Sequence, residues 1–212
     1  MPDQGLPGLE IRPAGPEQSE RIPPLMRSTH PVLYDEQFQS DAELQARVAR
    51  ALWESEDSLE SHTCAHGAYL DGVLVGFEIG GDTENASARE KVDDRIFKEL
   101  MTSEQHAFFE DNWRNRWSYC FPRFPEGTYY VGDLAVSEDC HGKGVGRALL
   151  QAAFDRAKAI GYRDVQLDLY ASNPAYHFYL AMGMEKLSET YVPILENTST
   201  PLHYRMIKRL QD

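Results

Sequence analysis

Cysteine is scarce in this 212-residue chain: Cys64, Cys120 and Cys140 are widely spaced and form no CxxC pair. Three such residues exclude a disulfide framework and a thiolate zinc site, and they suit reduced thiols in the cytoplasm. Also missing is any apolar run of about 18 residues, so no membrane-spanning segment is expected. Residues 1–12 hold neither a basic stretch nor an apolar core, so no signal peptide is expected either. Positive charge is in deficit, with 21 Lys and Arg against 34 Asp and Glu and a formal net charge of −13. Phosphate backbones are bound by clustered cations, so nucleic acid is not an expected partner, and the acidic balance slightly favours a cationic substrate. Repeats, low-complexity tracts and linkers are absent too, which predicts one domain over residues 1–212.

What is present alternates between strand-like and helix-like runs, the pattern of an α/β or α+β fold. Leu9-Glu10-Ile11-Arg12 alternates and stops at Pro13, as a first strand would. Residues 16–28 read as a helix opened by Pro16 that Pro23 and Pro24 break or kink. Asp41 caps a further helix with Leu44, Val48, Ala51 and Leu52 on one face. Asp71-Gly72 between two apolar runs predicts a hairpin, because a type I′ turn needs positive φ at both central residues. Residues 82–127 are polar, charged and studded with aromatics, and predict a helical insertion. There Phe109, Trp113 and Trp117 step by four, as on a helix packed against the body or forming a wall over a cleft.

The chemistry concentrates after Thr128. Thr128–Val136 is β-prone and apolar enough for a central strand. A short polar loop leads to His141-Gly142-Lys143-Gly144-Val145-Gly146-Arg147, and a helix with Leu149, Ala153 and Ala157 on its apolar face follows. Strand, glycine-rich loop and helix N-terminus together favour an anion: the first amides of a helix lack partners, and glycine lets a diphosphate approach closely. A P-loop is excluded because no Ser or Thr follows Lys143, and the G-x-G-x-G spacing is not a dinucleotide fingerprint.

The run Leu134-Ala135-Val136 with His141-Gly142-Lys143-Gly144-Val145-Gly146 resembles motif A of the GNAT acyl-CoA-dependent N-acyltransferases. Their pattern opens on Arg or Gln where this chain has His141. Asn173-Pro174-Ala175-Tyr176-His177-Phe178-Tyr179-Leu180-Ala181-Met182-Gly183-Met184 resembles motif B of the same superfamily, with Met184 in place of Phe. The resemblance implies a mixed, mostly antiparallel sheet flanked by helices, and acetyl-CoA as cosubstrate without a metal. It also implies a small-molecule or peptide amine as acceptor, and it leaves a homodimer open. Backbone amides at Leu134, Ala135 and Val136 would face the pantetheine and thioester, with the Val136 N–H as oxyanion donor. His141, Gly142, Lys143, Gly144, Val145, Gly146 and Arg147 would form the diphosphate cradle, Asn173 would contact the CoA arm, and Tyr179 would protonate the leaving thiolate.

A lysine-like amine has a pKa of about 10.4, so a proton must be removed before attack. Tyr130 and Gly132 occupy the superfamily's usual base positions, and neither is an evident base. Asp133 and Glu78 are the nearest carboxylates on expected strands. Glu196 and His203, in the closing loop and strand, are candidates for the acceptor side. A covalent role for Cys140 and a metal at His62, Cys64 and His66 find no supporting arrangement. The rival reading is a non-catalytic acyl-CoA-binding sensor or interaction module of the same fold.

Overall fold

A computed structural model describes residues 6–81 and 86–210. Residues 82–85, where the expected insertion begins, lie outside the described residues, as do both chain ends. The chain runs β1 (Leu9–Pro13), α1 (Ile22–Thr29), α2 (Pro31–Gln37), α3 (Ala42–Glu54), β2 (Ala65–Leu70) and β3 (Val73–Gly81). It continues as α4 (Ala86–Leu100), α5 (Ser103–Asn115), β4 (Thr128–Val136), α6 (Val145–Ile160), β5 (Asp164–Tyr170), α7 (Tyr176–Ala181), β6 (Glu185–Tyr191) and β7 (Leu202–Arg209).

Seven strands form one sheet in the order β1-β2-β3-β4-β5-β7-β6, with β4 in the middle. All neighbours pair antiparallel except β4 and β5. The expected hairpin is there: Asp71 and Gly72 take φ of 51° and 79° between β2 and β3. Gly161, at φ 103°, ends α6.

Three helical expectations change. A 3₁₀ turn over Pro16–Arg21 and the separate helix α1 replace one helix over 16–28. Pro23 and Pro24 do not break α1, because they fall in its first turn, where an N–H has no helical acceptor to lose. The aromatic stripe stepping by four is not one helix face. Arg116 leaves the helical region at φ −135°, ψ −67°, so Trp113 closes α5 half-exposed while Trp117 turns into the core against Cys120, Val192 and Leu195.

Helix α6 packs on one face of the sheet through Leu150, Ala153, Phe154 and Ala157, against Val131, Val165 and Leu167. Helices α1 and α3 cover the other face, where Met26 and Trp53 meet Phe77, Ile79 and Ala135. Helix α4 stacks on α3, and α5 packs on α2 and α4, with Phe97 and Phe109 against Phe38, Leu44 and Val48.

Candidate active site

Strand β4 organises the site through the way its pairing ends. Its parallel register with β5 holds only at Thr128↔Asp164, Tyr129↔Val165 and Tyr130↔Gln166, and beyond Tyr130 the two strands part. On the other side β4 stays paired with β3 up to Gly76↔Val136, and the Ser137 N–H donates to the Val75 carbonyl at 2.8 Å. Antiparallel alternation then turns the N–H groups of Leu134 and Val136 away from β3, towards the gap. The Val136 carbonyl points the same way and lies 2.8 Å from His141 Nε2. A carbonyl can only accept, so His141 carries its proton on Nε2. Ala135, expected among the cosubstrate contacts, is a correction: its backbone faces the β3 ladder and its methyl is buried under α1 and α3.

The glycine loop closes the end of this gap. Gly142 and Gly144 take φ of 71° and 86°, a region that costs other residues strain. The first bond of α6 is Ala148 N–H to the Gly144 carbonyl at 3.0 Å, so the amides of Val145 and Gly146 lie at the helix start. His141, Gly142, Lys143, Gly144 and Arg147 are exposed. A Cβ on Gly146 would meet Val136 Cγ2 at 3.6 Å and Phe178 Cζ at 3.7 Å, so its absence widens the trough between β4 and α7. Amides at a helix start, glycine clearance and basic side chains together fit a diphosphate.

A bulge brings a carboxylate to the opposite face. Ile79 pairs with Asp133 and Gly80 with Val131, which leaves Gly132 as an extra residue in β4. One extra residue reverses the side-chain alternation beyond it. Val131 therefore packs under α6, while Asp133 emerges beneath α1 and hydrogen-bonds Thr29. Burial raises the Asp133 pKa above the ordinary carboxylate range, and the Thr29 bond offsets this only in part.

Three further groups feel the charge of Asp133. Glu60, in the loop after α3, has its pKa pushed well up by burial and then by the charges of Asp133 and Asp93. Tyr34 of α2 is raised by burial and by Glu60 and Asp133. Tyr179 of α7 is raised by burial and by Asp133, and so stays a protonated phenol at neutral pH. The Glu60 loop is held by α4: Asp93 accepts from the Leu59 N–H at 3.2 Å, and Arg89 donates to the Ser58 carbonyl at 2.7 Å.

Other expected residues lie elsewhere. Glu78 is a correction: it is fully buried on the α6 face, paired with Arg156 and accepting from the Tyr129 hydroxyl at 2.9 Å. His203 is buried with its Nε2 at 3.2 Å from that of His30, and Glu196 accepts from Tyr191. Asn173 precedes α7, and its Oδ1 accepts from the Ala175 N–H at 2.9 Å, which leaves its amide NH₂ for other partners. Glu60, Tyr34 and Thr29 are absent from the sequence expectations, since no motif surrounds them. Asp94, His106 and Glu110 converge on α4 and α5, where Asp94 already bonds Lys98 and His106.

The sequence pattern of the acetyltransferase (GNAT) family matches residues 26–184. No curated protein matches the chain in sequence. Among solved structures, one described as an acetyltransferase superposes with a TM-score of 0.71 at 18% identity, covering 95% of this chain and 100% of its own. An N-acetyltransferase from Staphylococcus aureus gives 0.69 at 13% identity, with 94% and 100% covered. A GCN5-related N-acetyltransferase from Kribbella flavida gives 0.59 at 18%, with 96% and 98% covered. At these identities the likeness is one of fold.

Proposed function

Because the chain belongs to the acetyltransferase (GNAT) family, we propose that it transfers an acetyl group from acetyl-CoA to a primary amine by direct attack in a ternary complex. The observation that carries this reading is the convergence of two features on the parting of β4 from β5. Outward amides of β4 lie along it, and Asp133, Glu60 and Tyr179 sit near enough beside it for the charge of Asp133 to act on the other two.

Acetyl-CoA supplies the activated acyl group and the thiol that leaves. The amides of Gly142, Gly144, Val145 and Gly146 would hold the diphosphate, with Lys143 and Arg147 adding charge, and the Asn173 amide would reach the arm. Leu134 would hold the pantetheine through its N–H. The Val136 N–H would receive the negative charge that develops on the thioester oxygen. His141, tied to the Val136 carbonyl, braces the loop against β4 in place of the cation more usual there. Because the charge of Asp133 opposes ionisation of Glu60, one carboxyl would stay protonated while the other attracts the ammonium and takes its proton. Tyr179 then protonates the departing sulfur.

Calorimetric titration with acetyl-CoA, with ATP and NAD as controls, tests the cosubstrate. One-to-one binding of acetyl-CoA alone, followed by amine-dependent thiol release, is the expected outcome. Binding with no thiol release from any amine would favour the sensor module, and no binding would remove both readings.

A further inference from the structure

Beside Glu60 lies a half-open cavity of about 90 Å³ between α2, α3, α4 and α5. It has room for several waters, the scale of a short carbon chain. Its wall is apolar, with Phe38, Val48, Leu52, Phe97 and Phe109 prominent. Glu60 lies at one side, and beyond it Asp133. Two amides complete the lining. Gln37 is satisfied, accepting from Asn112 Nδ2 at 2.8 Å. Gln45 is 5% exposed, and its Nε2 has no hydrogen-bond partner. A buried amide donor left unsatisfied costs free energy unless something enters to accept from it.

We propose that the acceptor is a monoamine with a short uncharged body: its ammonium meets Glu60 and Asp133, its carbon chain fills this cavity, and an oxygen at its far end accepts from Gln45. This inference deepens the acyltransferase reading and rests on it. Glu60 is the only ionisable carboxylate or cation in the cavity wall among the described residues. A second ammonium or a carboxylate on the substrate would therefore lie against apolar side chains without a counter-charge. A diamine or a free amino acid is disfavoured on that ground, although the acidic composition alone would welcome a polycation.

The test compares pentylamine, aminopentanol and cadaverine, three amines of equal chain length that end in methyl, hydroxyl and ammonium. Direct calorimetric titration of each amine is run without acetyl-CoA, and thiol release is run with it. Aminopentanol is expected to exceed pentylamine in affinity and in kcat/KM by about tenfold, one buried hydrogen bond's worth. Cadaverine is expected to fall about a hundredfold below aminopentanol. Gln45→Leu removes a polar group that has no partner in the fold, so its melting temperature should be at least that of the parent. In it the ratio of aminopentanol to pentylamine should collapse to about one. Cadaverine equal to or better than aminopentanol, or an unchanged ratio in Gln45→Leu, overturns the proposal. Because the amine titrations need no cosubstrate, they judge this inference even if acetyl-CoA fails to bind, a result that would overturn the transferase reading instead.

Discussion

Glu78, buried, and Asp133, partly buried, are carboxylates on adjacent strands facing opposite sides of one sheet, and the protein treats their charges differently. Glu78 has Arg156 and the Tyr129 hydroxyl against it, and its pKa still rises to about 6 because burial outweighs both partners. Asp133 has Thr29, and its charged neighbour is a second carboxyl. No Lys or Arg among the described residues forms an ion pair with Asp133 or Glu60. A neutralised carboxylate belongs to the core, whereas one held in the interior with no counter-ion raises the free energy of the empty protein. That excess is recovered when a cation arrives, which is the condition an amine substrate meets.

The comparison can be broken most directly at Asp133. Asp133→Asn is expected to lower amine-dependent thiol release by about a thousandfold, to leave acetyl-CoA affinity intact and to raise the melting temperature. A stable variant with undiminished turnover would remove Asp133 from the chemistry. The mirror experiment is Arg156→Met, which leaves Glu78 buried and unpaired and should cost about 3 kcal/mol of stability near pH 8 in denaturant melts. The sign with pH follows from the raised pKa of Glu78. Its neutral form suits the fold, so its contribution is full below the unfolded value near 4.5 and is lost as pH rises through about 6. The penalty in Arg156→Met, where the pKa rises further, should shrink on acidification to pH 5, and turnover at permissive temperature should persist. Loss of turnover there with stability intact would place Glu78 in the mechanism after all.

Smaller changes sharpen the assignment. Tyr179→Phe should reduce turnover by about tenfold without altering acetyl-CoA affinity, and unchanged turnover would remove its role as the acid. In the parent, kcat/KM should rise with pH through a limb above the ordinary carboxylate range. Glu60→Gln removes a like charge and should move that limb to lower pH. A limb that stays in place would show that Glu60 and Asp133 titrate independently.

How much of this was legible in the sequence follows from how local each feature is. Strand β4, the glycine loop and α6 are consecutive, so the loop from His141 to Arg147 between strand and helix could be read directly, whereas the positive φ at Gly142 and Gly144 was not among the expectations. Tyr179 was reachable because motif B carries it. Glu60, Tyr34 and Thr29 come from a loop and two helices whose meeting with Asp133 is set by packing, and no periodicity announces that. Glu78 and Asp133 looked equivalent as strand carboxylates. The bulge at Gly132 separates them, and a glycine in a strand does not by itself declare which way the next side chain turns. The apolar stripe through Trp113 and Trp117 misled for a similar reason, since the break at Arg116 lies in φ and ψ and not in residue type.

The short register between β4 and β5 has a mechanical consequence. With three paired positions, the seam at that point is the thinnest in the sheet, and β1–β4 and β5–β7 behave as two plates joined along one margin. Any molecule that bonds to the outward edge of β4 supplies rungs the protein itself leaves out. Hydrogen exchange at Leu134 and Val136 should then slow on binding, and the two plates should begin to unfold as one.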